Sequence, residues 1–193
     1  MAKRTGDKYQ VILEAAVKTF ARTGFHRTRI SDIAGQAGVA DGTVYIYFKN
    51  KEDILISLFQ NLMSTFVEDL KSELDQCQNA NEKLERIITY HLTTLANRPD
   101  QAKVTQIELR QIDQVINKGI SKPLKSYFYL IEEVVEEGIR QGLYRQNLDK
   151  RIARKVIFGA IDEVVTCWVM SGKPYGLVAF KNPVYELLVK GLQ

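Results

Sequence analysis

Hydroxyl and ammonium side chains are concentrated in the short segment Asp41–Lys51 near the N-terminus. Tyrosine and threonine hydroxyls, lysine ammonium groups and free helix N–H groups are the donors with which proteins hold nucleic-acid phosphates. Val44 and Phe48 are the natural inward positions of a two-turn helix in this segment. We expect the remaining side chains to face outward: Thr43, Tyr45, Ile46 and Tyr47. The segment therefore predicts a short helix that enters the major groove of DNA.

The elements that must position this helix are a preceding helix and a glycine turn. Residues 30–37 carry apolar side chains at helical spacing, and Gly38 supplies the positive φ that a tight turn needs. Asp41 is expected to cap the third helix with its carboxylate. The other interpretation is a small three-helix unit without a partner. Two exposed tyrosines and an isoleucine on so short a helix argue against it.

The charge is placed unevenly along the 193 residues. Residues 1–51 carry nine Lys and Arg against four Asp and Glu, whereas the rest carries 18 against 19. A basic head on a nearly neutral body is typical of nucleic-acid binding, although basic solvated faces are common in other proteins.

The remainder of the chain reads as all-helical. Strand-like alternation is nearly absent, and apolar residues recur at helical spacing, so we predict an all-α fold of about nine helices. Later helices are expected at about 51–74, 99–112, 122–141, 149–171 and 182–191. No apolar run approaches the ~18 residues of a membrane span, and the N-terminus lacks the apolar core of a secretion signal. We expect a cytoplasmic protein with no membrane partner, in which Cys77 and Cys167 are buried free thiols.

Two domains follow from this layout. We expect residues 1–50 to form the helix-turn-helix DNA-binding domain and residues 51–193 to form a domain for ligand binding and dimerisation. Two heads must grip successive half-sites of DNA, so the chain is expected to be a homodimer. The predicted interface lies on helices eight and nine, whose apolar stripes are Ile157, Phe158, Ile161, Val164, Val165, Trp168, Val169, Val184, Leu187, Leu188 and Leu192. The alternative is that these stripes pack inside one monomer.

Polar residues interrupt the apolar pattern of the central helices. Gln106, Glu108 and Arg110 do so in predicted helix six, and His91 lies on the apolar face of helix five. These residues could line a ligand site, or they could be satisfied core residues that bond to neighbouring backbone. An enzyme such as a thioesterase that uses His91 with Glu108 is a further alternative. No nucleophile elbow, metal-ligand spacing or glycine loop supports an enzyme.

The segments Phe25–Ala34 and Ala37–Glu52 resemble the head of TetR-family transcriptional regulators. The resemblance implies an all-α TetR-like fold, a palindromic operator in double-stranded DNA and a four-helix bundle at the dimer interface. It also implies that Thr43, Tyr45, Tyr47 and Lys51 hold phosphates, with Lys49 beside them. Gly42 would let the backbone approach DNA. The residues placed to reach base edges are Arg29, Ser31, Asp41 and Ile46.

Three runs of the chain resemble more closely the TetR-type regulators of fatty-acid degradation in Gram-positive bacteria. These runs are Gly42–Leu58, Thr105–Gln111 and Ile157–Met170. The resemblance implies a repressor of fatty-acid degradation genes, with no enzyme activity and no cofactor, that a long-chain acyl-CoA effector releases from DNA.

An acyl chain requires an apolar tunnel, and the CoA phosphates require cations near its mouth. The expected ligand-binding residues are Met63, Phe66, His91, Leu95, Val104, Gln106, Ile107, Tyr127, Ile131 and Trp168, with the cations Arg98, Lys103 and Arg110. We expect the effector to shift the fourth helix, which carries the head. Two alternatives remain: a TetR-family regulator of efflux or catabolism that senses a drug or another hydrophobic small molecule, and an architectural DNA-binding protein.

Overall fold

The computed structural model describes residues 6–110, 112–172 and 175–193. Its elements are α1 (Asp7–Thr23), α2 (Ile30–Ala37), α3 (Asp41–Tyr47), α4 (Lys51–Leu74), α5 (Ala80–Ala96), α6 (Pro99–Glu108), α7 (Gln114–Arg140), α8 (Lys150–Met170), a 3-10 helix (Leu177–Phe180) and α9 (Lys181–Leu192). Strands are absent from these ranges, and the all-α prediction is confirmed. Lys3 and Arg4, which contribute to the basic charge of the head, lie outside the described residues.

Helices α1 to α3 form a small head around one apolar core. Helix α1 contributes Ile12, Ala16 and Phe20, which contact the inward faces of α2 and α3. The first turns of α4 close this core from below with Ile54 and Leu58. Two later elements also reach it, since it includes Val104, Ile116 and Ile120. The core of the head therefore does not stop at residue 50.

Helix α4 connects the head to the body over 24 residues, a length of about 36 Å. Its start is fixed by Asn50 and Asp53. The Asn50 side chain accepts a hydrogen bond from the Asp53 backbone N–H at 2.8 Å, and the Asp53 carboxylate accepts one from the Lys49 backbone N–H at 3.0 Å. This reciprocal cap satisfies two backbone donors that would otherwise lack partners.

The body is a helical bundle in which α7 is central. Helix α7 packs against α4, α5 and α8, while α9 covers α5. The core of the bundle consists of aliphatic side chains and two buried tyrosines, Tyr127 and Tyr144. Within the described residues, every helix is too short or too polar to span a lipid bilayer.

Several boundaries differ from the sequence-based expectation. Helix α7 begins at Gln114, although its Asn117, Gly119 and Pro123 suggested a loop. The Asp113 carboxylate caps α7 by accepting hydrogen bonds from the N–H groups of residues 115 and 116. A Cβ at Gly119 would lie 2.8 Å from side-chain atoms of Ile56, so glycine lets α7 approach α4 closely.

The end of α6, the cap of α3 and the two thiols also differ from expectation. Helix α6 ends at Glu108 rather than near residue 112, and Asp41 is the first residue of α3 rather than its cap. Both cysteines are free, but Cys77 is only half-buried and Cys167 is exposed, so the prediction of two buried thiols is wrong.

Candidate DNA-binding head and ligand cavity

The turn between α2 and α3 has the geometry that the helix-turn-helix prediction requires. Gly38 adopts the left-handed conformation, with φ 67° and ψ 32°. Its N–H donates to the Gly35 carbonyl at 3.2 Å, and the Val39 N–H donates to the Ala34 carbonyl at 3.0 Å. These bonds end α2 and direct the chain into α3 within three residues.

Helix α3 presents an apolar and aromatic surface to solvent. Tyr45 is 56% exposed and Ile46 is 58% exposed, whereas Val44 is fully buried. The prediction that Tyr47 faces outward is wrong, because Tyr47 is only 9% exposed. Tyr47 comes one helical turn after Val44 and lies on the same inward side, where its ring contacts that of Tyr9. The exposed side of α3 therefore carries one tyrosine rather than two.

The other predicted DNA contacts lie on the outside of the head. Thr43 is half-buried, and the remaining positions are exposed: Arg29, Ser31, Asp41, Gly42 and Lys49. Their exposure leaves them accessible to a partner.

Lys51 is engaged inside the head. Its ammonium group donates to the carbonyls of His26 and Thr28 at 3.1 and 3.0 Å and lies 4.6 Å from the centre of the Phe25 ring. Two of its three donors are thus used to hold the loop between α1 and α2. Lys49 is exposed and is the better placed of the two lysines for a phosphate.

An apolar cavity of about 70 Å³ lies in the body between α4, α5, α6, α7 and α8. Six of its lining residues were predicted from the sequence as ligand-binding: Met63, Phe66, His91, Leu95, Gln106 and Tyr127. Six more were missed: Phe59, Thr105, Leu109, Leu124, Phe158 and Asp162. The missed apolar residues follow ordinary helical spacing, which does not distinguish a cavity wall from a packed core.

A buried polar pair forms one part of the cavity wall. His91 Nδ1 and the Tyr127 hydroxyl lie 3.0 Å apart, and the Phe66 ring packs against both side chains. Burial lowers the pKa of His91 to about 4 and raises the pKa of Tyr127 above its ordinary value. Both groups are therefore neutral at pH 7, and a neutral pair is compatible with an apolar ligand.

A second polar group on the wall links α6 to α8. The Arg110 guanidinium donates to the Asp162 carboxylate at 2.7 Å and to the Gln106 carbonyl at 2.6 Å. The Thr166 hydroxyl donates to the Gln106 side chain at 3.0 Å. Burial raises the pKa of Asp162, while the Arg110 charge acts in the opposite direction. Arg110 is thus the partner of a buried carboxylate.

Seven predicted ligand residues do not line this cavity: Arg110, which pairs with Asp162 of its wall, Arg98, and the five residues Val104, Ile131, Trp168, Ile107 and Lys103. Val104 belongs to the core of the head, Ile131 belongs to the core of the bundle, and Trp168 is partly buried against that core. Ile107 is 46% exposed, and Lys103 is also exposed. Residues 105, 106 and 109 line the cavity, so the side chains of residues 103, 104 and 107 point in other directions. A helix of ten residues has too few apolar positions for its cavity-facing side to be identified from spacing alone.

A larger, open cleft of about 350 Å³ lies beside the cavity. The two spaces share four wall residues: Met63, Phe66, Leu95 and Thr105. Arg98, one of the predicted cations, lines this cleft together with Gln10 and Glu14 of α1. The cleft thus connects the region of the cavity with the head.

Helix α6 contacts the cavity and the head at once. Thr105, Gln106 and Leu109 line the cavity, and Val104 packs into the core of the head. Glu108 is buried and accepts a hydrogen bond from the Phe25 backbone N–H at 3.3 Å. Glu108 therefore bonds to the head, whereas His91 pairs with Tyr127 of α7.

Most of the apolar side chains predicted to form the dimer interface are buried inside the monomer. Ile157, Ile161 and Val165 are fully buried, and three residues of α9 are nearly so. Other apolar side chains on these two helices are exposed: Ile152 (55%), Val156 (56%), Met170 (70%) and Leu187 (76%). On α8, Ile152, Val156 and Met170 share one face with Gly159, because their spacings of four, three and eleven residues correspond to about one, one and three helical turns.

The sequence matches known families over almost its whole length. Residues 12–58 match the family described as bacterial regulatory proteins, tetR family, and residues 59–191 match YsiA-like protein, C-terminal region. The fatty acid metabolism regulator protein of Bacillus subtilis (strain 168) is 47% identical over 190 residues, which cover 98% of each chain.

Two solved structures have the same fold. The transcriptional regulator FadR from Bacillus subtilis in complex with stearoyl-CoA matches with a TM-score of 0.92 and 47% identity, over 96% of this chain and 100% of that one. The fatty acid degradation regulator FadR from Bacillus halodurans matches with a TM-score of 0.91 and 45% identity, over the same shares.

Proposed function

Because this chain belongs to the TetR family of bacterial regulatory proteins, we propose that it represses fatty-acid degradation genes and that long-chain acyl-CoA releases it from operator DNA. The family is one of transcriptional regulators and not of enzymes. The proposal rests on one observation above the others: a single helix, α6, lines an apolar cavity on one side and holds the DNA-binding head on the other.

Residues 1–50 are assigned to DNA binding and residues 51–193 to ligand binding and dimerisation. Tyr45 and Ile46 enter the major groove, and Thr43, Lys49 and the N-terminus of α3 hold phosphates. Arg29 and Ser31 reach base edges, and Gly42 allows close approach of the backbone. The protein acts in the cytoplasm, where operator DNA is found.

Two copies are required to place two heads on a palindromic operator. We assign the dimer interface to the exposed apolar faces of α8 and α9 described above, rather than to the buried stripes. Burial of large apolar side chains such as Leu187 and Met170 in a second copy removes exposed apolar area from water. Leu187→Asp should lower the dimer fraction in sedimentation velocity, while Glu186→Gln on the same helix should not.

The proposed effector has a long acyl chain, and the cavity is too small in volume to hold it. Ligand pockets usually measure about 300–1,000 Å³, well above the 70 Å³ between α4 and α8. Met63 and Phe66 separate the cavity from the open cleft, so displacement of their side chains joins the two spaces. Each methylene buried there contributes about 0.8 kcal/mol, which is enough to offset some loss of packing.

Helix α6 transmits this displacement to the head. When Gln106 is pushed away from the cavity, Val104 and Glu108 move with it, because all three lie on one rigid ten-residue helix, which Leu109 follows as the C-cap. Glu108 and Val104 contact the head, so its orientation changes relative to α4 and the spacing of the two recognition helices is lost. A preference of about 3 kcal/mol for the displaced state weakens operator binding more than 100-fold.

Fluorescence anisotropy of a labelled operator fragment tests the proposal. Titration with stearoyl-CoA should release the wild-type protein, and CoA alone should not. A variant with a blocked cavity, Leu124→Trp, should bind operator normally and resist release. Undiminished operator affinity of the wild type at saturating stearoyl-CoA would contradict the proposal.

A further inference from the structure

The outer face of α7 carries positive and negative charges in two separate halves. Six exposed side chains of this helix are spaced three or four residues apart: Lys118, Lys122, Lys125, Tyr129, Glu133 and Glu136. These spacings keep the side chains on one face of the helix over a length of about 27 Å. We call this surface the α7 stripe. Its N-terminal half is basic, its C-terminal half is acidic, and Tyr129 lies between them.

Most charges of the α7 stripe have no partner within the monomer. Among the described residues, its three lysines form no ion pair, and Glu133 forms none either. Glu136 pairs with Lys150 of α8 at 2.8 Å, but both side chains are nearly half exposed and the carboxylate has further acceptor sites. Tyr129 is 59% exposed. The stripe therefore keeps four charges and an aromatic ring available to a partner.

The order of the charges makes the α7 stripe complementary to itself. When two α7 helices pack antiparallel about a two-fold axis level with residues 127 and 128, Lys122 of each copy lies opposite Glu133 of the other. The same register places Lys118 within one residue of the position opposite Glu136. Parallel packing would instead bring lysines against lysines, and like charges repel each other. The pattern therefore specifies a single orientation, that of a two-fold contact.

The centre of this antiparallel contact combines a small side chain with an aromatic one. Ser126 of one copy lies opposite Tyr129 of the other, so the short serine side chain leaves room for the ring. Lys125 comes beside the same ring, where its ammonium group can make a cation–π contact. Arg140, at the C-terminal end of the same face, comes opposite Val115 and meets no lysine. The register therefore places no like charges opposite each other.

We propose that the α7 stripe is a docking surface for the α7 stripe of a second copy of this chain. The contact uses other residues than the exposed apolar faces of α8 and α9 to which we assign the dimer, so the two contacts together join dimers into tetramers. DNA and anionic membranes are poorer partners, because the acidic half of the stripe repels the anion that the basic half attracts. The inference goes beyond the proposed function, and it lets two dimers on neighbouring operators bind cooperatively.

Sedimentation equilibrium of the whole chain, without DNA or effector, tests the contact. Because exposed ion pairs are individually weak, we expect a dissociation constant on the order of 100 µM that rises when the salt concentration is raised from about 0.05 to 0.5 M. In the Leu187→Asp variant, which weakens the contact of α8 and α9, the same salt-sensitive association should persist between monomers.

A charge swap distinguishes this contact from a general effect of charge. Lys122→Glu places two carboxylates opposite each other, twice in a two-fold contact, and should weaken association at least about tenfold. Adding Glu133→Lys restores the pair with its signs exchanged, so the double variant should associate within about threefold of the wild type. Lys18→Glu is the matched control, because it makes the same change of charge at an exposed position of α1 and should have no effect.

Two results would overturn the inference. One is equal association of the wild type, Lys122→Glu and the double variant, with circular dichroism showing that all three keep their helical content. The other is the absence of salt-sensitive association of the wild type at concentrations above the expected dissociation constant. Neither result bears on operator release by stearoyl-CoA, so the proposed function stands or fails separately.

Discussion

Removal of the Arg110 guanidinium tests whether the polar group on the cavity wall holds α6 against α8. Arg110→Met leaves the Asp162 carboxylate without its cation. The Asp162 side chain is only 12% exposed. Loss of one partner from a fully buried pair costs about 3–5 kcal/mol. Because the Arg110 side chain is 49% exposed and water screens the pair, we reduce this to about 1–2 kcal/mol at pH 7.

The loss should depend on pH in a defined direction. Burial raises the pKa of Asp162, so the folded chain binds this proton more tightly than the unfolded chain, and stability falls as pH rises between the two pKa values. Removing Arg110 raises the folded pKa further. The stability difference between variant and wild type should therefore be small below about pH 4 and complete only above the raised pKa.

Thermal unfolding followed by circular dichroism between pH 4 and 8 measures this difference. A loss of 1–2 kcal/mol lowers the melting temperature by about 2–8 °C in a chain of this size. Asp162→Asn is the matched control, since it leaves a solvated Arg110 and a neutral amide. Its loss relative to wild type should be smaller, and it should narrow rather than grow as pH rises, because the variant lacks the titrating carboxyl. Equal losses for the two variants, with no narrowing at acid pH, would refute the reasoning.

Three further predictions concern the head and the bundle. Glu108→Ala removes an acceptor of a buried backbone N–H; it should cost about 1–3 kcal/mol in chemical denaturation and make operator release by stearoyl-CoA less complete in anisotropy titrations. Lys49→Ala should reduce the slope of log affinity against log salt by about one, whereas Lys51→Ala should leave the slope unchanged and lower the melting temperature, because Lys51 donates to two carbonyls of the head. Gly138→Ala should cost at least about 1–3 kcal/mol in urea unfolding, since the added Cβ would overlap the Tyr144 ring.

The helices and the recognition turn could be predicted from the sequence because they depend on local rules. The spacing of apolar residues predicts α4, and the capping residues Asn50 and Asp53 indicate where it begins. The boundary of α7 was missed for a non-local reason. Gly119 and Pro123 are read locally as breakers, but Gly119 is required by the approach of Ile56 on another helix.

The candidate sites could be predicted only in part. Residues on the long helices, such as Phe66 and Tyr127, were found because their apolar faces are unambiguous. The inward position of Tyr47 was missed, since a seven-residue helix shows too little periodicity to fix its rotation. Asp162 was missed because an acid on an apolar helix carries no local sign that an arginine 52 residues away will pair with it.

The position of α6 between two packed regions has a consequence for how such regulators diversify. Under the proposed function, we expect substitutions at Gln106 or Leu109 to change which molecule is bound and to leave DNA affinity unaltered. We expect substitutions at Val104 or Glu108 to change how strongly ligand binding affects the head and to leave ligand choice unaltered. A helix of ten residues and its C-cap would then allow ligand specificity and the strength of the response to evolve separately.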